Sequence, residues 1–395
     1  MTSVSIEFIL FAILLVSCVH CSKNETVKSA ENSDIIPRAR QLVNNFLNKT
    51  ENEFVPGLVI SVSVKGEQKW LEAFGKANIE NNVPMTGDTV MQIGSITKSF
   101  IVGLASRLMQ ENKLDFDVPI RKYLSVRDFP DKTWNGNVVN ITLRQLFQMR
   151  AGIPSLDGDL VGKCLRCKKQ LEHLIFMRDK ELEFEPGTNF TYSNFGYELA
   201  GAVVESVLEN KTLDDAVKEM IDNVLKLNKT AIYDSHMITP HIASFYTIIN
   251  GSLFNSGMWG DIFLNELHAA GGIMTTMTDL VIYGQIWLDA YYGRSEQFLK
   301  QSSVRSAWVP SSMSSLIYGM GWVIQNNTSV NRRSGNQVIW HSGGTNGCRS
   351  MLAIYPETEI IIAASANLGQ CRVEALILEG TIADLFAINE TTEVI

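Results

Sequence analysis

The sequence predicts a mixed α/β (α+β) fold: an antiparallel sheet flanked by helices, with a mostly helical insertion. Three observations predict it. Near both ends of the chain, at 60–74 and 318–366, residues alternate apolar with polar or run apolar, which is strand patterning. The stretch between, about 115–300, reads mostly as helix joined by Gly-, Asn- and Pro-containing loops. One helix at 95–110 is apolar over two adjacent stripes, which buries it between layers.

Residues 1–21 read as a secretory signal, with an apolar core from Phe8 to Val16 and Val19-His20-Cys21 before the cleavage point. Residues 22–40 form a polar leader and the start of the first helix. That helix is capped by Ser33 or Asp34, carries Pro37 in its first turn, and aligns Ile36, Ala39, Val43, Phe46 and Leu47. Ile60, Val62 and Val64 then alternate with Ser61 and Ser63; Lys65-Gly66 turns the chain, and Lys69 to Phe74 returns. The broad helix follows, with Phe100, Leu104 and Leu108 on one stripe and Ile101, Ala105 and Met109 on the next. Helices are expected near 198–208 and 278–288. Strands are expected at 318–325, 338–341, 350–355 and 360–366, and a closing helix at 373–386. The folded unit is 41–388, with 389–395 as a tail. Its two subregions meet at a seam, the natural place for a cleft.

Composition narrows the function. The chain has 395 residues, of which 45% are hydrophobic and 19% charged, an ordinary globular balance. A net charge of −8 with no basic run argues against nucleic acid as a partner. After the signal no stretch reaches the roughly 18 apolar residues of a membrane span, and the closing FAINETTEVI lacks the apolar tail of a lipid anchor. Asn24, Asn48, Asn140, Asn189, Asn210, Asn228, Asn250, Asn326, Asn327 and Asn389 each open an N-x-[ST] sequon without Pro. Chance would supply roughly four, so the excess points to a glycosylated, secreted, extracellular protein. Cys164, Cys167, Cys348 and Cys371 remain after the signal. Two disulfides suit an oxidising compartment, and four cysteines allow three pairings. Cys164 and Cys167 form a C-x-x-C with no thioredoxin-like βαβ context, which favours a local bridge over redox chemistry.

Three short motifs carry the chemistry. In Ser95-Ile96-Thr97-Lys98 the serine follows Gly94 at a helix start, near unpaired backbone N–H groups and the positive end of the dipole. A helix N-cap would explain Ser95 alone. Lys98 lies one turn on and on the same side, and a lysine in an apolar helix is costly unless used. Burial favours its neutral amine, which accepts a proton from Ser95. In Tyr192-Ser193-Asn194 an extended backbone directs Tyr192 and Asn194 to one side, the first to shuttle a proton, the second to hold Lys98 and a substrate amide; taken alone, the tripeptide reads as a loop. His341-Ser342-Gly343-Gly344 ends a strand, where the glycines admit a substrate backbone and His341 orients Tyr192 or meets an anion; the glycine pair alone reads as a hairpin turn. The backbone N–H groups of Ser95 and Gly344 are candidates for an oxyanion hole. An unperturbed His341 would titrate between about pH 5 and 8. No metal-ligand spacing, P-loop or dinucleotide fingerprint appears, so no metal and no cofactor is expected.

With these motifs in order, the chain resembles the serine β-lactamase and penicillin-binding family, in its class C and D-alanyl-D-alanine carboxypeptidase branch. MQIGSITKSF, ITLRQLF, FEPGTNFTYSNFGYELAG, AGGIMTTMTDL, YGMGW and HSGGTNG also fall in family order, over about Phe54 to Leu385. The resemblance implies the serine β-lactamase-like fold, an acyl-enzyme on Ser95, Lys98 and Tyr192 as the base pair, and Asn194 and His341 in support. Ser342, Gly343 and Gly344 complete the substrate edge. The substrate would be a small peptide, amide or ester. His341 stands where the lactamases carry Lys, as in esterase and peptidase relatives, and Gln148-Met149-Arg150 replaces a Ser-His-Thr. Secreted invertebrate relatives also occur as extracellular and shell-matrix proteins, so an extracellular matrix role with idle chemistry is the alternative. Two further expectations concern the sheet and the cleft. Three successive antiparallel strands bring the end of the first near the end of the third, predicting a Cys348–Cys371 bridge. Asn189, three residues before Tyr192, would carry a glycan that flanks the cleft without filling it.

Overall fold

The sheet starts at a hairpin whose turn the sequence dictates. Lys65 (φ 51°) and Gly66 (φ 82°) are both left-handed, the requirement of a two-residue turn that matches strand twist. They join β1 (Gly57–Val64) to β2 (Glu67–Asn78), and β3 (Val83–Pro84) adds a short edge. The other strands come from the far end of the chain: β4 (Val323–Asn326), β5 (Gln337–Gly344), β6 (Arg349–Tyr355) and β7 (Ile360–Ala366). The order is β4-β5-β6-β7-β1-β2-β3, antiparallel throughout. β1 and β7 zip the two chain ends together, from Leu58 opposite Ala366 to Val64 opposite Ile360. The computed structural model describes residues 34–155, 169–234, 237–257, 267–311, 317–326, 333–379 and 381–387.

The two-residue period of the strands sorts side chains into two cores. On one face Ile60, Val62, Ile360, Ile362, Met351 and Ala353 pack with Ile35, Ala39, Val43 and Phe46 of α1 (34–47) and with Leu376, Ile377, Ile382 and Phe386. On the other face Val59, Leu352, Ile354, Ile361 and Ala363 join the larger core of the helical region. That core includes α2 (Thr97–Gln110), α3 (Leu143–Phe147), α4 (Asn194–Glu205), α5 (His268–Gly271) and α6 (Met277–Tyr292). α6 lies on the sheet at Gly284, where a Cβ would stand only 2.8 Å from Ile361 Cγ2. Among the described residues, no helix is long and apolar enough to cross a membrane.

The mixed fold, its sheet drawn from both chain ends and its helical middle agree with the sequence reading. Details differ. α1 buries Ile35 rather than Ile36, because the 35-39-43-46 stripe is the one facing the sheet. Residues 318–322 form a turn before β4, since Gly321 is left-handed (φ 74°) and the Gly319 N–H donates to Trp322 O. The insertion holds hairpins as well as helices: Lys132–Trp134 with Asn137–Val139, and Tyr246–Ile249 with Ser252–Asn255. The closing helix divides into Ala375–Glu379 and Ile382–Phe386.

The Cys348–Cys371 bridge is corrected: both thiols are free and buried. Strand succession brings the segments together, but the side chains diverge. Cys348 faces the helical core, with its Sγ on Gln92 O (3.2 Å) and Ser365 Oγ (3.3 Å), whereas Cys371 packs in the core of the opposite face. Burial pushes each thiol up to about 12. Cys164, Cys167, Asn24, Asn327, Asn389 and residues 1–21, expected from the sequence to be a signal, lie outside the described residues.

Candidate active site

Ser95 sits in the single 3-10 turn Gly94–Ile96 that leads into α2. It caps nothing; Ile96 is the N-cap of α2 and makes no side-chain capping bond. The turn is pressed against the end of β5 by glycines. Gly94 is left-handed (φ 47°), and a Cβ on it would stand 2.8 Å from Gly344 N; a Cβ on Gly343 would stand 1.8 Å from Ile93 O. Ser350 Oγ–H donates to Ile93 O at 3.0 Å and ties β6 to the same turn. The HSGG segment is therefore a seat for the serine turn, not a hairpin turn.

Lys98 has no exposed surface. Its Nζ lies 2.8 Å from Asn194 Oδ1, 2.8 Å from Ala270 O and 3.1 Å from Ser95 Oγ. The rings of Tyr192 and Tyr197 flank it, with centroids at 5.0 and 5.4 Å. Two of the three oxygens only accept hydrogen bonds. A neutral amine would give both its protons to Asn194 and Ala270, leaving its lone pair on the side of Ser95.

Tyr192 and Asn194 meet Lys98 as the motif suggests, by a different backbone route. Asn194 is the first residue of α4, and Ser193 is its N-cap, accepting from the Gly196 N–H at 3.0 Å. Ser193 is thus inward and structural, its hydroxyl donating to Pro154 O at 3.1 Å. Met149 holds both sides of Tyr192. Its carbonyl accepts from the Thr191 N–H (3.1 Å) and its thioether from the Ser193 N–H (3.3 Å), at a left-handed φ of 60°. The departure from Ser-His-Thr at 148–150 thus supplies a clamp on the tyrosine segment. Tyr192 is 36% exposed, unlike the buried Lys98 and His341 beside it.

His341 is 4% exposed. Its Nδ1 lies 2.6 Å from Ser342 O, which can only accept, so Nδ1 carries the proton. Nε2 then accepts from the Tyr318 hydroxyl at 2.9 Å. Burial, with the Lys98 charge nearby, pushes its pKa down to about 3. The expected titration between pH 5 and 8 is therefore corrected: the imidazole is neutral there. Tyr318 is the site residue that the motif reading missed, although it opens the YGMGW stretch. Its buried ring stands 6.3 Å from that of Tyr192 and 5.7 Å from that of His341.

The described sequon asparagines, Asn48, Asn140, Asn189, Asn210, Asn228, Asn250 and Asn326, are all exposed. Phe190 and Tyr192 both turn towards Tyr318, at 6.1 and 6.3 Å, while Asn189 stays on the surface beside them.

The family model described as Beta-lactamase matches residues 42–379. The chain belongs to the Beta-lactamase family. Within that family it is 26% identical over 407 residues to the human Serine beta-lactamase-like protein LACTB, mitochondrial, spanning 81% of this chain and 72% of that one. Its fold is shared with an octameric penicillin-binding protein homologue from Pyrococcus abyssi, at a TM-score of 0.73 and 22% identity over 88% of this chain and 78% of that one. A D-stereospecific amidohydrolase from Streptomyces superposes at a TM-score of 0.70 and 22% identity, over 86% and 96% of the two chains.

Proposed function

We propose that the chain is a secreted serine hydrolase that cleaves a small peptide, amide or ester through an acyl-enzyme on Ser95. The observation that carries this reading is the lysine: Lys98 Nζ, buried, held by Asn194 and Ala270, and 3.1 Å from Ser95 Oγ. In the reaction, Lys98 takes the hydroxyl proton as Oγ attacks the acyl carbon. The backbone N–H groups of Ser95 and Gly344 stabilise the oxyanion. Tyr192 passes a proton to the leaving group, and water later releases the acyl group from Ser95. His341 brings no charge to the substrate edge, because both its nitrogens are engaged and it is neutral. That favours a neutral amide or ester over an anionic lactam. The amidohydrolase among the structural neighbours is in keeping with amide substrates. The apolar leader and the exposed sequons support export and glycosylation, including a glycan on Asn189 beside the cleft.

The test is acylation. The chain from Ser22 is exposed to a fluorescent penicillin and a fluorophosphonate, and its intact mass is compared with that of Ser95→Ala. Stoichiometric label on the wild type alone is the expected result. No label with either probe would overturn the hydrolase reading in favour of an extracellular matrix or binding protein with idle chemistry.

A further inference from the structure

Behind Lys98 lies a cluster of titratable side chains that the acyl-transfer steps do not use. Asn194 and Glu198 are one turn apart on α4, so they share a face. Asn194 meets Lys98 directly. Glu198 reaches it through one residue: Oε1 accepts from the Ala270 N–H at 2.9 Å, and Ala270 O accepts from Lys98 at 2.8 Å. Glu198 has no exposed surface, and its Oε2 has no hydrogen-bond partner among the described residues. The charged and titratable groups that act on it are Lys98 from α2, His268 from α5 and Asp214 from the helix Leu213–Glu219, with His173 of the helix Gln170–His173 beside His268. His268 Nδ1 is 2.8 Å from Asp214 Oδ2, and its ring stands 5.5 Å from that of His173.

We propose that Glu198 is a positioning residue for Lys98: its neutral acid holds the Ala270 backbone beneath the amine, and its ionised form would keep Lys98 an ammonium unable to take the Ser95 proton. This rests on the acyl-transfer reading above. A carboxyl in a dry interior with one hydrogen bond resists ionisation. Desolvation outweighs the pull of His268 and Lys98 and raises Glu198 to about 8. Below that pH Glu198 keeps its proton and puts no charge behind the amine, so the Lys98 ammonium can give its third proton to solvent as pH rises and uncover the lone pair for Ser95. A carboxylate so near favours the ammonium and delays that loss to higher pH, keeping the third proton on the lone pair meant for Ser95.

The experiment is the rate of Ser95 labelling by a fluorophosphonate from pH 6 to 10, in wild type, Glu198→Gln and Glu198→Ala. The wild-type rate is expected to climb with pH as Lys98 loses its third proton, and E198Q to reach its plateau about one pH unit lower, because no carboxylate forms to hold that proton. E198A should share that earlier plateau and label about tenfold slower at every pH, because it leaves the Ala270 N–H without the Glu198 carboxyl. E198Q is close in shape to glutamate and carries the test even if E198A does not fold. Superimposable wild-type and E198Q profiles would overturn the role of Glu198 alone. A wild type that takes no label at any pH overturns the hydrolase reading, and this role with it.

Discussion

Single residues set the chemistry of the site through burial. Removing the amine by Lys98→Ala should slow Ser95 labelling by about 10²–10⁴-fold, the usual worth of a positioned base; a rate within twofold of wild type would exclude Lys98 as the base. His341 and Glu198 are both buried neutral, with opposite consequences for stability. His341 is depressed from 6.5 to about 3, so the unfolded chain takes up the proton first. Its contribution is fully present above about pH 6.5 and is lost as pH falls from there towards 3. His341→Gln should therefore lose less melting temperature between pH 6.5 and 4 than the wild type does, and the wild-type imidazole should stay neutral by NMR at pH 5. Glu198 is raised from 4.5 to about 8, so the folded chain keeps a proton the unfolded chain has lost. Its contribution is present below about pH 4.5 and is lost as pH rises towards 8, by about 3 kcal/mol at pH 7. E198Q should gain stability over wild type across that window in denaturant titrations, the gap widening with pH.

At the scale of elements, backbone contact between the serine turn and β5 holds the site together. A methyl on Gly343 has no room beside Ile93 O at 1.8 Å, and Ile93 is backbone that cannot step aside. Gly343→Ala should cost more than 3 kcal/mol or unfold the chain. Gly136 gives the contrast: it is also left-handed (φ 79°) but has nothing within 4 Å of a Cβ. Gly136→Ala should cost only about 1 kcal/mol. Equal losses for the two in urea melts would refute a steric role for Gly343. The other device is the pinning of Tyr192 by Met149, where one residue takes hydrogen bonds from both neighbours of the tyrosine.

Across the whole molecule, one sheet joins the chain ends and separates two cores. Because Cys348 and Cys371 fall in different cores, each should alkylate with iodoacetamide in denaturant without reductant, and neither should react in the native protein. A disulfide-linked peptide containing both would contradict the sheet geometry. The exposed sequons are spread from Asn48 in the turn after α1 to Asn326 at the edge strand β4. A chain from a eukaryotic secretory host should lose several glycan masses on endoglycosidase treatment.

Much of this was legible in the sequence, because it depends on local periodicity and on residue type. The strand pattern of β1, β6 and β7, the helix after Ser95, and the nucleophile, amine, tyrosine and asparagine were all readable without coordinates. Three-dimensional packing decided the rest. That His341 is neutral follows from its burial and from Tyr318, 23 residues away in sequence. That Ser193 is a cap and Met149 a clamp depends on how 149–154 meets 191–193. The separation of the two cysteines is also tertiary: strand order sets which ends meet, while the face each side chain takes is set by register and the turns beyond the strands. Glu198 carried no signal in the linear pattern: a glutamate at that helical position looks solvated until α5 closes over it and takes water away.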